Sequence, residues 1–493
     1  MRVLMFGWEF PPHISGGLGT ACFGLTQSLV RQKIEVLFVV PKLHGNENPT
    51  NLDLIDASNI TIPFAGGPRI VKRKVRVTKK SYPEELAEVT IHSHRRVANL
   101  TYIEVPAVLN PYSLPTLEEK NRTVKNWNYV FDSTTEKPED QITHVEEERE
   151  VIEIGYHYQF SGTYGDRLHE EVKQYALVGK ELGRQFSHDV IHAHDWMTFP
   201  AAIEARKVSG KPMVIHIHAT EIDRSGSSGG YVYDIEKHGM NCADRIVAVS
   251  QWTKDIIINH YGIDPSKIIV VHNGVSASSQ AVEEAPPPVG SHVVTYLGRV
   301  THQKGPVYFV EAARKVADSF PDAHFIVAGS GDLLPQTIER VAQLRLSNKF
   351  HFTGFLNKEW INKIWSISNV YVMPSVSEPF GITPLEALQA GVPVVISNQS
   401  GVAEVMPHAL KVNFWDVDAL AESICSVLKY KSLSSMLKKK GEKEVRRLSW
   451  YRAAFKIKTL YEELIAYPPQ AEKGSGALLP GTPTFAPSKI QVL

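Results

Sequence analysis

Two cationic side chains, Arg299 and Lys304, lie in the segment GRVTHQKG, which follows a predicted strand at residues 293–297. The segment therefore forms a loop at the carboxyl end of that strand. A guanidinium and an ammonium group in such a loop can bind a diphosphate and can stabilise the negative charge that develops when a bond to phosphate breaks. An Arg–Lys pair on a protein surface is usually only solvated, but its position at this edge of a sheet favours the binding interpretation.

Two carboxylates, Glu378 and Glu386, are separated by seven residues in the segment SEPFGITPLEALQAG. We expect Glu378 in a loop and Glu386 in the first turn of the following helix. Backbone N–H groups at the start of that helix, those of Gly381 and Ile382, would favour phosphate. The residues from Thr383 to Glu386 also fit a capping box with proline at the first helical position. A capping role and a ligand role therefore compete for the Glu386 carboxylate.

Three glycines, Gly16, Gly17 and Gly19, stand between a predicted first strand at residues 2–7 and a predicted first helix at about 17–32. Glycine lets the backbone approach a ligand closely, and the N–H groups at a helix N-terminus favour anionic or oxygen-rich groups. A flexible tight turn is the alternative, but three glycines within four residues at this junction favour ligand binding. The spacing is not G-x-G-x-x-G, so the loop does not predict a dinucleotide site.

Histidine, acidic and aromatic residues follow two further predicted strands. Asp195 and Trp196 lie in HAHDWMT, and His218 lies in HIHATEIDRSG. Carboxylates can bind sugar hydroxyls and an aromatic ring can pack on a sugar ring, so these loops could form a sugar site. The alternative is a structural His–Asp pair. His216 and His218 would point to the same side of a strand, as zinc ligands can, but the sequence offers no clear third ligand, and a metal site is the weaker interpretation.

Composition indicates a globular enzyme with more than one domain. The chain has 493 residues, of which 43% are hydrophobic and 22% charged, and Lys+Arg and Asp+Glu both number 53. This length favours two domains, and the zero net charge disfavours sequence-independent binding of nucleic acid or of an anionic membrane. The three scattered cysteines give no disulfide framework. We expect no signal peptide, no membrane span and a cytoplasmic location.

Strands and helices alternate along two parts of the chain, as in doubly wound α/β domains with parallel sheets. The predicted organisation is a first domain at 1–275, a proline-rich linker at 276–291, a second domain at 292–445, an amphipathic helix at 446–466 and a disordered tail at 467–493. An insertion at about 45–160 interrupts the first domain, with hairpin-like strands predicted at 71–77, 89–93 and 101–105. Two such domains in tandem place a ligand site in the crevice between the carboxyl ends of their strands, where the loops described above lie.

These loops, in this order, resemble those of the retaining GT-B glycosyltransferases of the glycogen and starch synthase kind. The resemblance covers nearly the whole chain apart from the insertion and the tail. Its most specific part is SEPFGITPLEALQAG, which is similar to the E-x7-E motif of that superfamily, with Glu378 and Glu386 in the two glutamate positions. The resemblance implies two Rossmann-like domains with an interdomain cleft, and a last helix that returns to the first domain.

The resemblance implies that one group of residues binds the nucleotide part of a nucleotide-sugar donor. Arg299 and Lys304 would bind the diphosphate, and Glu386 would bind the ribose hydroxyls. Donor binding would be completed at Gly17, whose backbone would contact the diphosphate, and at Gly381, Ile382 and Thr383. Such enzymes need no bound metal and no other cofactor, because the cationic side chains take the place of the metal.

The resemblance implies a second group of residues around the transferred sugar. Glu378 would bind the sugar, and His218 and Asp195 would line its pocket. Together with Arg299 and Lys304, the residues Glu378 and His218 are those that the resemblance implies for catalysis. Family members retain the anomeric configuration, and closure of the two domains assembles the site and excludes water.

The implied function is transfer of glucose from ADP- or UDP-glucose to an α-1,4-glucan, so the expected partners are this donor and a sugar acceptor. The synthases usually carry Lys-x-Gly-Gly in the first loop, whereas Ile14 occupies the lysine position here. Transfer to another acceptor, such as a surface polysaccharide or a small glycoside, is therefore the first alternative. A nucleotide-sugar-binding protein that has lost catalysis is the second, and the intact Arg299, Lys304, Glu378 and Glu386 disfavour it.

Overall fold

The computed structural model describes residues 1–11, 16–43, 158, 160–161, 164–276 and 291–467, together with the backbone of six strands between residues 53 and 156. Within these residues the strands β1 to β18 are Arg2–Phe6, Glu35–Val40, Asp53–Ile55, Ile62–Pro63, Ile70–Thr78, Leu100–Glu104, Glu118–Phe131, Ile142–Tyr156, Val190–His194, Met213–Ile217, Arg245–Ala248, Ile268–Val270, His292–Leu297, Ala323–Ala328, Phe350–Gly354, Val370–Met373, Val394–Ser397 and Leu410–Val412. The helices α1 to α13 are Gly17–Arg31, Leu168–Gln185, Phe199–Ser209, Glu221–Ser225, Tyr231–Cys242, Gln251–Tyr261, Pro306–Ser319, Leu334–Gln343, Lys358–Ile367, Thr383–Gln389, Val417–Lys429, Lys431–Val445 and Trp450–Ala466. Short 3-10 helices lie at Pro265–Lys267, His302–Lys304 and Gly401–Glu404.

Two parallel sheets dominate the fold and confirm the predicted α/β class. The first has the strand order β12-β11-β10-β9-β1-β2-β6-β3, and the second has the order β15-β14-β13-β16-β17-β18. Their central strands are short apolar runs, such as VYVM in β16, as expected for strands that helices cover on both faces. Alternate residues of β1 enter different core clusters, Leu4 on one face of the sheet and Val3 on the other.

Each parallel sheet changes the direction of its strand order beside its first strand in the chain. In the first sheet β1 has β2 on one side and β9 on the other, and in the second β13 has β14 on one side and β16 on the other. Ligands of open α/β sheets bind outside the carboxyl ends of the strands at such a place. The loops that follow β1, β9, β13 and β16 contain Gly17, Asp195, Arg299 and Glu378. Strand order alone therefore brings these predicted site residues to the two binding edges.

The last helix, α13, packs on the first domain although it follows the second sheet in sequence. Trp450 and Ile457 are buried in the same core cluster as Val3 of β1. The Trp450 indole lies on α1 at Gly24, where a Cβ would come within 2.3 Å of the ring. Only a glycine in α1 allows α13 to pack this closely.

The stretch predicted as an insertion divides between two sheets. β3 and β6 extend the first sheet beyond β2 in parallel, whereas β4, β5 and β7 each pair with β8 in an antiparallel sheet. The strand predicted at 71–77 is β5. The strand predicted at 101–105 is β6, and it is not part of a hairpin, because both of its neighbours run parallel to it. The strand predicted at 89–93, most of the linker (277–290) and the tail from residue 468 lie outside the described residues.

Three helices, α2, α4 and α12, have no counterpart in the sequence prediction. α2 packs on α3 through Gly179, where a Cβ would lie 2.4 Å from the carbonyl oxygen of Ala201. α4 is a single capped turn directly after the β10 loop, and it therefore borders the candidate site. Among the described helices, none combines the length and apolarity that a membrane crossing requires.

Candidate functional site

The loop after β13 places Lys304 against Glu378. Its 3-10 helix, His302–Lys304, ends at Gly305, whose φ of 65° lies in the left-handed region. A Cβ at Gly305 would lie 2.1 Å from the carbonyl oxygen of Pro374, so only glycine lets this loop approach the loop after β16 so closely. Lys304 Nζ then lies 2.5 Å from Glu378 Oε2, and both side chains are largely buried. The structure thus brings two of the predicted site residues into direct contact.

Arg299 is oriented by its neighbours in the same loop. Its carbonyl accepts a hydrogen bond from the Tyr296 hydroxyl at 2.8 Å, and its Nη2 donates to Gln303 Oε1 at 3.3 Å. Gln303 is buried, so it is a firm partner for the guanidinium. Arg299 and Lys304 are therefore fixed on one loop at the edge where an anionic ligand is expected.

The loop after β16 holds Glu378 in a defined position. The Glu378 amide donates to the carbonyl of Gln399 at 2.9 Å, and its Oε2 accepts from Ser375 Oγ at 3.3 Å. Gly381 follows with a φ of 98°, and a Cβ there would lie 3.2 Å from Glu378 Cγ. Glycine at this position therefore satisfies the backbone conformation and leaves room beside the carboxylate.

The capping box predicted for Thr383 and Glu386 is wrong. The N-cap of α10 is Ile382, and its side chain makes no capping hydrogen bond, so Thr383 is already the first helical residue. The Glu386 carboxylate is consequently not used to cap its own helix. Burial raises the pKa of Glu386, and the nearby Lys358 opposes that change. The Glu386 side chain is half-buried and has no capping role, so the ligand interpretation is the one of the two that stays open.

Asp195 and His218 form the first-domain side of the site. Asp195 ends β9 with a φ of 58°, and its Oδ1 accepts from the His218 amide at 2.7 Å and from the Ala219 amide at 3.4 Å. Burial raises the pKa of Asp195 to about 7, although the Arg224 charge and the His218 amide act in the opposite direction. Burial lowers the pKa of His218 to about 3, so its imidazole is neutral. The two side chains therefore offer neutral or weakly charged hydrogen-bonding groups.

Four neighbouring imidazoles form what we call the histidine stack: His192, His194, His216 and His218. They come from two adjacent parallel strands, β9 and β10, and the loop after β10. His194 Nδ1 lies 3.0 Å from His218 Nε2, and His192 Nδ1 is bonded to the Tyr461 hydroxyl of α13. Further zinc ligands near His216 and His218 do therefore exist, contrary to the expectation from the sequence.

The ring geometry of the histidine stack favours packing over metal binding. The His192 and His194 rings are inclined by 17° with centroids 4.6 Å apart, and the His216 and His218 rings by 18° with centroids 4.3 Å apart. Imidazole nitrogens bind zinc along lone pairs that lie in the ring plane and converge on one point. The rings within each of these two pairs are nearly parallel, whereas the cross-strand pairs His192–His216 and His194–His218 are inclined by 35° and 33°. Nitrogens of His192, His194 and His216 lie within 4.8 Å of one another, so a metal site stays the second interpretation.

The start of α1 is exposed. α1 begins at Gly17, and its N-cap is Gly16 in an extended conformation. Both glycines are exposed, and no atom of the described residues lies within 4 Å of a Cβ added at either one. The first N–H groups of α1, a helix of 15 residues, have no partner within the helix, and ligand binding by them stays a prediction.

Glu9 and Tyr164 belong to the same region and were missed by the sequence analysis. Glu9 lies in the loop after β1 and Tyr164 just before α2, and the Tyr164 hydroxyl donates to the Glu9 carboxylate. Withdrawal of the hydroxyl from water and the Glu9 charge raise the pKa of Tyr164; Asp195 adds to this effect and Arg299 opposes it. Tyr164 therefore lies where charges from both domains act. Glu9 lies three residues after the end of β1, which was a usable signal, whereas nothing in the sequence marked Tyr164.

The two domains contact each other beside these residues. Ile382, at the start of α10, packs on the core cluster that contains α1 and also on a cluster of the second domain. Ser250 Oγ donates to the carbonyl of Pro379 at 2.5 Å, and a Cβ at Gly401 would collide with both Ser250 and Pro379. The second-domain loop that carries Glu378 is thus packed directly against the first domain.

Comparisons with known proteins agree with this arrangement. Residues 279–444 match the model of the "Glycosyl transferases group 1" family, residues 138–279 match "Glycosyltransferase Family 4", and residues 2–107 match "Starch synthase catalytic domain". The chain is 30% identical over 303 residues to an uncharacterized glycosyltransferase of Methanocaldococcus jannaschii, which covers 56% of this chain and 75% of the relative. It is 30% identical over 259 residues to the glycogen synthase of Mycobacterium tuberculosis, covering 50% and 63%.

Solved structures share the whole architecture at low sequence identity. A sucrose-phosphate synthase from Thermosynechococcus elongatus superposes with a TM-score of 0.63 at 17% identity, over 94% of this chain and 99% of that one. A trehalose-6-phosphate protein from E. coli bound with UDP-2-fluoro glucose gives a TM-score of 0.60 at 12% identity, covering 94% and 99%. These likenesses concern the fold alone. Together with the family matches and the archaeal relative, they show that the chain belongs to the glycosyltransferases with the two-domain GT-B fold, of a kind similar to glycogen and starch synthases.

Proposed function

We propose that the protein transfers glucose from ADP- or UDP-glucose to an α-1,4-glucan and retains the anomeric configuration. The observation that supports this most directly is the largely buried Lys304–Glu378 pair at 2.5 Å, in a loop that contacts the first domain through Ser377 and Pro379. A diphosphate and a sugar need a cation and a carboxylate in adjacent positions. This pair offers both where two strand edges meet.

Donor binding in this proposal uses the second domain and the start of α1. Arg299 and Lys304 bind the diphosphate and stabilise the charge that grows on it as the glycosidic bond breaks. Glu386 binds the ribose hydroxyls. The backbone at Gly17 contacts the diphosphate, and the residues Gly381, Ile382 and Thr383 complete the donor site. Because Lys304 already contacts Glu378, diphosphate binding changes the partner of the ammonium group and leaves the carboxylate for the sugar.

The sugar pocket in this proposal lies between Glu378 and the pair Asp195–His218. His218 turns its Nε2 toward His194, so its Nδ1 and its carbonyl are the groups available to the sugar. Asp195, with a pKa of about 7, is partly protonated near neutral pH and can donate as well as accept. If the acceptor attacks from the same face of the sugar that the diphosphate leaves, the anomeric configuration is retained. This route needs no nucleophile from the protein.

A second acceptor class is favoured by one departure from the synthase pattern. Ile14 stands where the synthases usually carry lysine. Matching relatives include a galactosyltransferase of E. coli that acts on a diphosphoundecaprenol-linked sugar, at 27% identity, and a 2-deoxystreptamine N-acetyl-D-glucosaminyltransferase of Niallia circulans, at 26% identity. Transfer to a surface polysaccharide or a small glycoside is therefore the alternative function.

Nucleotide release from a panel of donors separates these functions. ADP-, UDP- and GDP-glucose are each supplied with and without glycogen, and then with small glycosides and lipid-linked sugars as acceptors. Release that requires glycogen supports the synthase proposal, and release with only another acceptor supports the alternative. Donor binding without turnover for any acceptor contradicts both and identifies a binding protein. The anomeric configuration of the product, read by NMR, tests retention.

A further inference from the structure

Two polar side chains from different domains meet beside the proposed site. Ser377 Oγ donates a hydrogen bond to Asp223 Oδ1 at 2.6 Å. Asp223 lies on α4 of the first domain, and Ser377 directly precedes Glu378 in the loop after β16. We propose that this pair, the Asp223–Ser377 clasp, positions the loop of His218 against the loop of Glu378. Both are positioning residues, because they act through their neighbours.

Asp223 is a rigid acceptor for this bond. Its Oδ2 accepts from the amide and the hydroxyl of Thr220, both at 2.8 Å, and so closes the capping box of α4. Its side chain is buried. The carboxylate therefore divides its two oxygens, one for its own helix and one for the other domain. Because the group is already ordered, forming the clasp costs little side-chain entropy.

The clasp joins two short segments that carry sugar-side groups. Thr220 is two residues after His218, whose amide is bonded to Asp195 at 2.7 Å. On the other side, Ser377 is followed by Glu378, which is bonded to Lys304 at 2.5 Å. A displacement of α4 relative to the β16 loop would therefore shift the segment that carries His218 relative to the segment that carries Glu378.

A second interdomain bond shows that Glu378 is held on both sides. Pro379, the next residue, accepts from Ser250 Oγ at 2.5 Å. Glu378 is thus flanked by two residues that contact the first domain. Ser250 is fully buried and also caps α6, so its replacement would disturb folding. Ser377 is partly exposed and caps no helix, which makes it the better place for an experiment.

The test compares Ser377→Ala, Asp223→Ala and the double variant with wild type, and its kcat measurements rest on the proposed function. We expect kcat to fall about tenfold in Ser377→Ala, the scale of one hydrogen bond to a charged group. Asp223→Ala should lower kcat at least as much, because it also removes the acceptor of the α4 capping box. The Kd of the nucleoside diphosphate should change by less than about threefold, since the clasp does not touch the diphosphate. The double variant should be no slower than Asp223→Ala, because Ser377 acts only through Asp223.

Two further variants separate positioning from simple destabilisation. Ser377→Thr keeps the hydroxyl and should restore most of kcat. Ser366→Ala removes another hydroxyl bond of 2.7 Å within the second domain, on α9, and should leave kcat unchanged. Loss of kcat in Ser377→Ala that Ser377→Thr does not restore, or an equal loss in Ser366→Ala, would overturn the proposal.

Hydrogen–deuterium exchange tests the clasp without any turnover. Ser377→Ala should increase exchange in Glu221–Ser225 of α4, which belongs to the other domain, whereas Ser366→Ala should not. If the wild type turns over no donor, the proposed function fails while this measurement still decides the clasp. If hydrogen–deuterium exchange in α4 is the same in Ser377→Ala as in wild type, the proposed Asp223–Ser377 clasp is refuted.

Discussion

At the scale of single residues, Lys304 makes one contribution that its neighbour Arg299 does not. Both would bind diphosphate in the proposed function, but only Lys304 also compensates the largely buried Glu378 carboxylate. Removing one partner of a buried ion pair leaves an uncompensated charge, which destabilises the fold as well as the transition state. Replacing Lys304 should therefore reduce the stability of the fold more than replacing Arg299 does, even if both replacements lower turnover equally.

Replacing either cation tests its assigned role. Arg299→Ala and Lys304→Ala should each lower turnover by about two to three decades, the scale of losing one preorganised charge at a developing negative charge. Lys304→Ala should in addition lower the melting temperature. Lys315→Ala is the control, because Lys315 is an exposed lysine of the same domain paired with Asp418 at 2.6 Å. Wild-type turnover in both site variants would refute the role.

The histidine stack predicts how stability depends on pH. Burial lowers the pKa of His192, His194 and His216 well below their usual value, and that of His218 to about 3. Below about pH 6.5 the unfolded chain therefore binds protons that the folded chain does not, and stability falls as pH falls. Asp195 acts oppositely between about pH 4 and 7, since its folded pKa is raised to about 7. The stabilising effect of one carboxyl group at low pH is opposed by the destabilising effect of four imidazoles, so lowering the pH should destabilise this region.

Chemical denaturation between pH 7 and 5 measures this dependence. Each buried neutral histidine adds up to about 1.4 kcal/mol per pH unit to the slope. His216→Asn removes one such group and should give a shallower slope than wild type, whatever its stability at pH 7. His260→Asn, which replaces an exposed histidine of α6, should keep the wild-type slope. Equal slopes for all three proteins would mean that His216 binds as many protons in the folded state as in the unfolded state, and would contradict the lowered pKa.

At the scale of secondary structure elements, loop approach depends on glycine geometry. Gly305 and Gly210 share nearly the same left-handed conformation, with φ of 65° and 67°, but only Gly305 faces a backbone carbonyl, 2.1 Å from an added Cβ. Gly210 ends α3 in open space. Comparing an alanine substitution at Gly210 with one at Gly305 therefore separates the free-energy cost of the left-handed backbone conformation from the cost of a steric collision.

Alanine at these two glycines should give different losses. Gly210→Ala should lower the free energy of unfolding by about 1 kcal/mol, the cost of the left-handed conformation alone. Gly305→Ala should lower it by about 2–4 kcal/mol, because either the Lys304 loop or the Pro374 backbone must also move. Its kcat should fall as well, since Lys304 moves away from Glu378. Equal losses in denaturation experiments would show that the loops separate freely.

The sequence predicted elements best where pattern and position agreed. Apolar runs followed by polar loops located most strands of both parallel sheets, and so the loops that carry Arg299 and Glu378. α2 was missed although Val172, Tyr175, Val178 and Leu182 recur at helical spacing on its buried face. The start of α10 was misassigned because a capping-box pattern at Thr383 is local, whereas the loop conformation at Gly381 is set by packing on Glu378 and Met373.

At the scale of the whole molecule, the contacts that could not be predicted are those between distant parts of the chain. Asp223 and Ser377 are 154 residues apart, and Ser250 and Pro379 are 129 apart. Each residue has an unremarkable local pattern, and its partner is determined only when the domains dock. The resemblance to synthases implied that the last helix returns to the first domain, and α13 does pack there, but its contact with α1 at Gly24 had no local signal.

Trp450 joins α13 to α1, the helix that begins at Gly17. Its ring is buried against Gly24 of α1, and its amide lies against Gly274, just before the linker. Trp450→Ala should lower the free energy of unfolding by about 3–5 kcal/mol, as expected for a large aromatic ring removed from a core. Tyr451→Ala is the matched control, since Tyr451 is 57% exposed on the same helix.

The same variant should affect the proposed site through α1. With the indole gone, α1 loses the contact that fixes its middle, and Gly17 at its start is less well placed for the diphosphate. We therefore expect a higher KM for the donor in Trp450→Ala at a temperature where the variant is still folded, and a wild-type KM in Tyr451→Ala. If Trp450→Ala is destabilised but keeps the wild-type KM, α13 stabilises the first domain without positioning the glycine loop.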